Sequence, residues 1–303
     1  MVAMRVATFA QSNRMIADAM RVESVMANKQ IQESTGVIST DFGGYGWDAQ
    51  HVVNLQVSVT RAQSYIDAAT LADSKVQVMY SAVGSMTDIL TQLRSQLSAA
   101  STGSSTEANS VITTAQQMLE QMGSLMNTQY DGQYVFGGGK TDTAPVDLTS
   151  FASGTGSLTA ADTSYYNGDE EIASVRVAAD QTVSYGVTAD DSAFEEVMRV
   201  LKFVANSTSL ASSDITSALD LAGTALDDTA AVQARLSNNA SSIETASSRQ
   251  TDYKSYAETL SNDLTGVDVA AITAQLSTYQ AQLTASYSAL AKILSINLAS
   301  YLK

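Results

Sequence analysis

LMNTQYDGQYVFGGGKTDTAPV, residues 125–146, gathers three aromatics, four glycines and the only proline of a 303-residue chain. On either side the sequence is Ala, Ser, Thr, Gln and Leu at helical spacing, so this stretch marks a change of architecture. Two readings compete: a phosphate-cradling loop, or the point where a helical rod turns into a β-rich outgrowth. In G-x-x-x-x-G-K-[ST], backbone amides and the lysine hold phosphates, and Lys140-Thr141 invites that comparison. The first glycine would then stand at residue 134, which is Tyr134; Gly132 is two positions early. TDTAPV cannot open the helix such a loop requires, because Pro145 and the β-branched residues resist one. The second reading stands.

Upstream, from Ala49 to Ala99, apolar residues keep a seven-residue beat: Leu55, Ala62, Ala69, Val76, Val83, Leu90 and Leu97. Val52, Val59 and Ile66, then Met79, Met86 and Leu93, line a flanking seam that slips by one residue near Asp73. Sustained heptads predict a long helix packed along other helices. After the short loop STGSST, Thr106 to Thr128 carries Val111, Ala115, Met118, Met122, Leu125 and Met126 at spacings of three and four, predicting an antiparallel return.

Downstream, VRVAADQTVSYGV (175–187) alternates β-branched and polar residues about a turn at 179–181, a hairpin signature. DDSAFEEVMRVLKFV then opens a helix with Asp191 as its N-cap and Glu195 and Glu196 in the first turn, where the helix dipole favours acids. Ile215 to Leu264 carries Val232, Leu236, Ile243, Ala246, Tyr253, Ala257, Leu260 and Leu264 at heptad-like intervals. LTGVD (264–268) interrupts it, and a last helix follows with Ile272, Leu276, Tyr279, Leu283, Leu290 and Leu294 on one face. The N-terminus mirrors this with Val6, Phe9, Ile16, Met20 and Ile31, before a glycine-rich break at 34–48. The termini are expected to run side by side, and their small residues to bury more surface among copies than alone.

The fold class expected is therefore mainly α with a small β-rich insert: a long antiparallel helical bundle or coiled-coil rod from both termini, and a β domain from the middle. Three parts follow: 1–33 with 268–303 as a terminal helical inner core, 34–130 with 207–267 as a long-helix rod, and 131–206 as a β-rich outer domain with a closing helix. A single proline in 303 residues, against a usual share of about one in twenty, suits such helices.

Composition removes most chemistry. Cysteine is absent and His51 is the one histidine, so thiolate nucleophiles and multi-histidine metal sites are excluded. A formal net charge of -15 repels nucleic acid and anionic membranes. No run of eighteen apolar residues appears, and the first twenty residues are too polar for a signal-peptide core. Asp190-Asp191 and Asp227-Asp228 are sequence neighbours and cannot face one another on a helix. No residue stands out as catalytic, cofactor-binding or metal-ligating, and no enzyme is expected.

Residues 127–146 resemble the NT-x-Y-(D/N)-G-x-Y-(L/V/I)-F-(A/G)-G-x-x-T-x-T-x-P segment of the bacterial flagellar hook-associated proteins of the hook–filament junction, within the flagellin superfamily. SAVGSMTDILTQLRSQLSAAS (81–101) is similar to that family's long helix, and residues 264–302, with the LT-x-V-D entry, to its C-terminal helix. Residues 165–202 are similar to its hairpin and following helix. The loop at 34–48 departs from the family, keeping only Ser34-Thr35-Gly36 and lacking its basic and S-D-D-P runs.

The resemblance implies a structural axial protein forming a junction ring between the first hook-associated protein and the flagellin filament; a filament-forming flagellin is the alternative. It implies partners in itself, flagellin, the first hook-associated protein and an export chaperone. Localisation would be extracellular, in the flagellum, reached through type III export without a cleaved signal. The expected subunit-packing seam is Phe9, Ile16, Met20, Ile272, Leu276, Tyr279, Leu283, Leu290 and Leu294. The expected domain-junction turn is Tyr130, Gly132, Tyr134, Phe136, Gly137, Gly138, Gly139 and Pro145.

Overall fold

A computed structural model describes residues 2–102, 105–151, 154 and 156–299; the side chains of 2–9, 105–107, 150 and 294–299 lie outside the description. The order of elements is α1 (Val2–Thr35), a 3-10 helix (Phe42–Asp48), α2 (Ala49–Thr102), α3 (Ser105–Met126), β1 (Gln129–Tyr130), β2 (Gln133–Tyr134), α4 (Leu148–Phe151), β3 (Ser174–Arg176), β4 (Thr182–Ser184), α5 (Ser192–Ala205), α6 (Ser212–Thr265) and α7 (Val269–Ala299). The chain divides into two units, residues 1–60 with 254–303 and residues 61–253, with the boundaries falling inside α2 and α6.

The second unit holds the main core. On α2 the heptad positions Ala69, Val76, Val83, Leu90 and Leu97 are all buried, and so are Ala72, Met79, Met86, Leu93 and Ala100 on the neighbouring seam. The slip near Asp73 is resolved by Ala72 taking the seam position, which leaves the carboxylate half-exposed beside it. Facing residues on α6 repeat the same beat: Ile215, Ala222, Thr229, Leu236 and Ile243 are buried. Thr229 is tolerated there because its hydroxyl donates to the Ala225 carbonyl at 2.6 Å, leaving no orphaned donor. Further along α6 the expected seam residues Tyr253 and Leu260 stay exposed, while Ala257 is buried. On α3, Val111, Ala115, Met118, Met122 and Met126 are core side chains, so its methionines fill space between helices.

The strand content is small. β1 and β2 form one antiparallel pair with Gln129 opposite Tyr134, and β3 and β4 another with Val175 opposite Val183. Along residues 174–177 burial alternates, with Val175 and Val177 inward and Ser174 and Arg176 outward. The helix α5 starts where sequence places it: the Asp191 carboxylate accepts the Ala193 N–H at 3.2 Å. Its Phe194, Met198 and Leu201 are fully covered, and α5 packs on α3.

In the first unit α1 packs along α7, so the two termini do lie side by side. The helix α1 stops at Gly36, whose φ of +70 lets its N–H reach the Gln32 carbonyl at 2.9 Å. The helix α7 starts at Asp268, whose carboxylate accepts the Ala271 N–H at 3.1 Å. Between these ends Val37 and Gly266 form an antiparallel bridge.

Candidate assembly interface

The α1–α7 pair is held by only one face of each helix. On α7, Ile272, Leu276 and Leu283 are buried, and Tyr279 and Leu290 are half-buried. These five expected seam residues lie at heptad spacing on the covered side of α7, where packing on α1 accounts for their burial. The covered apolar positions on α1 include Met15, Ala19, Val22, Val25 and Met26. The expected residues Ile16 and Met20 lie on a different stripe and are 41 % and 66 % exposed, as is Ile31 at 52 %. At about 100° per residue, Ile16, Met20, Ala27 and Ile31 fall within roughly one sixth of a turn of one another, well away from the α7-facing stripe. Phe9 and Leu294 have side chains outside the described set.

Thus α1 carries two apolar stripes, one covered by α7 and one bare. The helix α7 adds bare apolar surface of its own at Val269 and Tyr287. The end of α6 adds Tyr256 and Leu260, and the loop between α1 and α2 adds Ile38, Phe42 and a completely exposed Trp47. Among the described residues of the second unit, the exposed large apolar side chains are Leu71, Tyr80, Ile172 and Tyr253. Exposed apolar surface therefore concentrates in the unit built from the termini. Taking roughly 200 Å² per fully exposed large side chain, it amounts to on the order of 1000 Å². A stable protein–protein interface takes about 800 Å² from each partner.

The loop that carries Trp47 is built rather than loose. The Ser39 hydroxyl accepts the Asp41 N–H at 3.1 Å, and the Tyr45 hydroxyl donates to the Ser39 carbonyl. A Cβ on Gly44 would collide with the Ser39 side chain, and Gly46, at φ +57, breaks the 3-10 helix just before Trp47. Beside it lies a groove of about 690 Å³ walled by Val37, Phe42, Val52 and Val59, with Gln56, Glu258 and Asn262 among its polar lining.

The expected domain-junction turn comes together as one structure in the second unit. Asp131 and Gly132, at φ +51 and +74, form the two-residue turn of the β1–β2 hairpin, the mirror-image type that Asp-Gly favours. Phe136 is fully buried and meets Phe194 edge-on at 6.0 Å, while Tyr130 and Tyr134 are half-buried and Pro145 is buried. Gly137 to Gly139 permit a close backbone approach: a Cβ on Gly138 would stand 2.3 Å from Asp169 Oδ1, and that same oxygen accepts the Gly139 N–H at 2.6 Å. This holds the Asp169 carboxyl below its ordinary range. Lys140 Nζ donates to the Gly168 and Asn167 carbonyls at 3.0 and 3.3 Å, so the lysine that suggested phosphate binding ties one loop to another. Sequence reading missed Asn127, whose side-chain amide exchanges two 2.9 Å hydrogen bonds with the backbone of Val146.

A buried polar cluster lies beneath α5. Glu195 accepts the Asp162 N–H at 2.8 Å and lies 3.4 Å from Arg199, whose guanidinium also donates to the Leu158 carbonyl. Lys202 pairs with Asp162 at 2.7 Å and sits 4.2 Å over the Phe151 ring. Burial works against the Asp162 charge, but hydrogen bonds from Lys202 and Ser164 outweigh it and hold the carboxyl at about 2. Burial and the nearby Asp228 push Glu196 the other way, upward. Each of these side chains pairs with neighbouring backbone or charge, the arrangement of a packing network, while Glu196 Oε2 and Arg199 Nε are buried without a hydrogen-bond partner. Among the described residues no acidic or histidine cluster suited to a metal occurs, and no helix is long and apolar enough to cross a membrane.

Comparison with known proteins places this architecture. Residues 6–141 match the bacterial flagellin N-terminal helical region. A flagellar hook-associated protein from Vibrio parahaemolyticus superposes with a TM-score of 0.57 at 17% identity, over 72% of this chain and 97% of that one. A Bacillus cereus FlgL aligns at 11% identity over 82% and 99% of the two chains, with a TM-score of 0.37. The flagellar hook-associated protein-3 of Legionella pneumophila gives 14%, 71% and 97%, with 0.45. The Vibrio superposition speaks for a shared fold; the other two are too distant in shape to add to it. No curated protein matches the chain in sequence. The matched family and these neighbours are flagellar structural proteins rather than enzymes.

Proposed function

We propose that this chain, which carries the N-terminal helical region of bacterial flagellins over residues 6–141, is a structural axial subunit of the bacterial flagellum. Its place is the hook–filament junction, where copies form a ring between the first hook-associated protein and the filament. The single observation that carries an assembly role is the bare apolar stripe Ile16, Met20 and Ile31 on a helix whose other apolar stripe is already covered by α7. A subunit that worked alone would have no use for two such stripes, and water makes the second one costly to leave open. Of the nine seam positions, we assign Ile16 and Met20 to contacts between copies, with Phe9 next on the same stripe. Ile272, Leu276, Tyr279, Leu283 and Leu290 hold the pair that presents the stripe, and Leu294 follows them along α7.

The sequence segment 127–146 and the fold shared with the Vibrio hook-associated protein favour the junction over the filament. On this reading the chain leaves the cell through the flagellar export apparatus without a cleaved signal. A chaperone covers its apolar ends beforehand, and flagellin and the first hook-associated protein are its neighbours in the axis. Immunogold labelling in a strain deleted for the gene and complemented with a tagged copy tests the proposal. Label at the base of each filament supports it; label along whole filaments assigns the chain to the filament itself, and label away from the flagellum contradicts both.

A further inference from the structure

Trp47 is the one tryptophan of the chain and is 100 % exposed. Scattered exposed apolar residues are ordinary, but tryptophan is highly buried on average and leads the residues that dominate protein interfaces. The loop spends several specific features on displaying it: the Ser39–Asp41 turn, the Tyr45 bond to Ser39, and the two glycines that leave the backbone free to turn it outward. The adjoining groove lies within the same unit. Val37, Phe42, Val52 and Val59 give it one apolar wall, and Ser39, Thr40, Gln56, Glu258, Ser261, Asn262 and Thr265 make the rest polar and rich in acceptors. An indole can lay its ring on the apolar wall and give its N–H to one of those acceptors. At about 690 Å³ the groove has more than enough room for the ring. Trp47 does not fill it in its own chain, since the side chain is wholly in water.

We infer that Trp47 of one copy seats in the groove of a second copy. This rests on the proposed self-assembling role and names the surface it uses. The exposed apolar side chains of the unit sum to on the order of 1000 Å², enough for one partner's share of a stable interface, and the proposed self-assembling role makes that partner a copy. Knob and groove on one chain also make a heterologous contact, in which each subunit gives its Trp47 to one neighbour and receives one from another. Such contacts propagate into rings or helical arrays rather than stopping at a dimer.

Because no other tryptophan contributes, fluorescence excited at the red edge, where tyrosine does not absorb, reports this side chain alone. The full-length chain is followed through self-association by sedimentation, with emission and acrylamide quenching recorded on the same samples. Docking predicts a blue shift and a several-fold fall in quenching as the associated fraction grows. Val59→Asp and Asn262→Trp each spoil or fill the groove. Val59→Asp should leave Trp47 emission red and fully quenchable at protein concentrations that shift the wild type, with circular dichroism confirming helix content. Asn262→Trp, with Trp47 kept, should weaken association as read by sedimentation. Association with Trp47 still fully quenched overturns the docking and leaves the assembly role standing. A chain that never associates overturns both.

Discussion

Val37 and Gly266 face each other in an antiparallel bridge, although one follows the first helix and the other precedes the last. The Ile38 N–H donates to the Thr265 carbonyl at 2.7 Å and the Val267 N–H to the Gly36 carbonyl at 3.0 Å. Glu33 accepts the Thr273 hydroxyl at 2.7 Å just beyond the bridge. The ends of α1 and α7 are thereby fixed to one another, which orients the bare stripe of α1.

Substituting Gly266 should loosen that clamp. A Cβ there would stand 2.6 Å from the Asn262 carbonyl oxygen, so backbone must move. Gly266→Ala is expected to cost about 1–2 kcal/mol, from displacing that carbonyl. Hydrogen exchange should show faster exchange at the Ile38 and Val267 amides, with the amides of α3 and α5 unchanged.

The glycines of the junction turn should differ sharply from one another. Gly138 combines φ +70 with a Cβ position 2.4 Å from the Asp169 carbonyl oxygen, whereas Gly132, at φ +74, has open space. Gly138→Ala is therefore expected to lose about 3 kcal/mol, from strain plus displacement of the Asp169 lock, and Gly132→Ala about 1 kcal/mol from backbone strain alone. Urea unfolding of the two variants, compared at equal slope, measures the difference.

Acid should weaken the second unit through Asp162. Its folded value of about 2 lies below the ordinary range, so the folded state favours the ionised form. The resulting stability is complete above the unfolded value of about 4, and it is lost as pH falls from there through about 2. Asp162→Asn removes the Lys202 ion pair and should flatten that part of the stability profile, measured by thermal melts from pH 5 to pH 2. Glu196, raised by burial and Asp228, acts oppositely. Glu196→Gln should stabilise at pH 7 by a few tenths to about 1 kcal/mol, and the gain should shrink as the medium is acidified.

How much of this was legible beforehand varied with the kind of contact. The heptads of α2 named Leu55 to Leu97 as a seam, since a seven-residue beat leaves one face for packing; Ala62 to Leu97 are buried and Leu55 half-buried, and the slip at Asp73 was visible as a charged residue on an apolar row. The break at 264–268 and the Asp191 cap were equally local signals. The face of α1 was different. Phe9, Ile16, Met20 and Ile31 are bulky and periodic, yet α7 packs where Ala19 sits between Met15, Val22 and Met26. Small residues allow close approach of backbones, and periodicity does not rank two stripes on one helix. The Gly138–Asp169 lock and the Asn127–Val146 exchange join residues far apart in sequence, so composition pointed to the turn but not to what holds it.

Sedimentation velocity of the double variant Ile16→Gln, Met20→Gln over a range of concentrations tests the central claim most directly, because both side chains leave α7 untouched and the change adds no charge. The wild type should self-associate reversibly, and the variant should keep its helix content but need at least about tenfold more protein to reach the same associated fraction, from the burial of two apolar side chains it no longer has. Equal association of variant and wild type, with Leu71→Gln in the second unit as the matched control, would contradict the account.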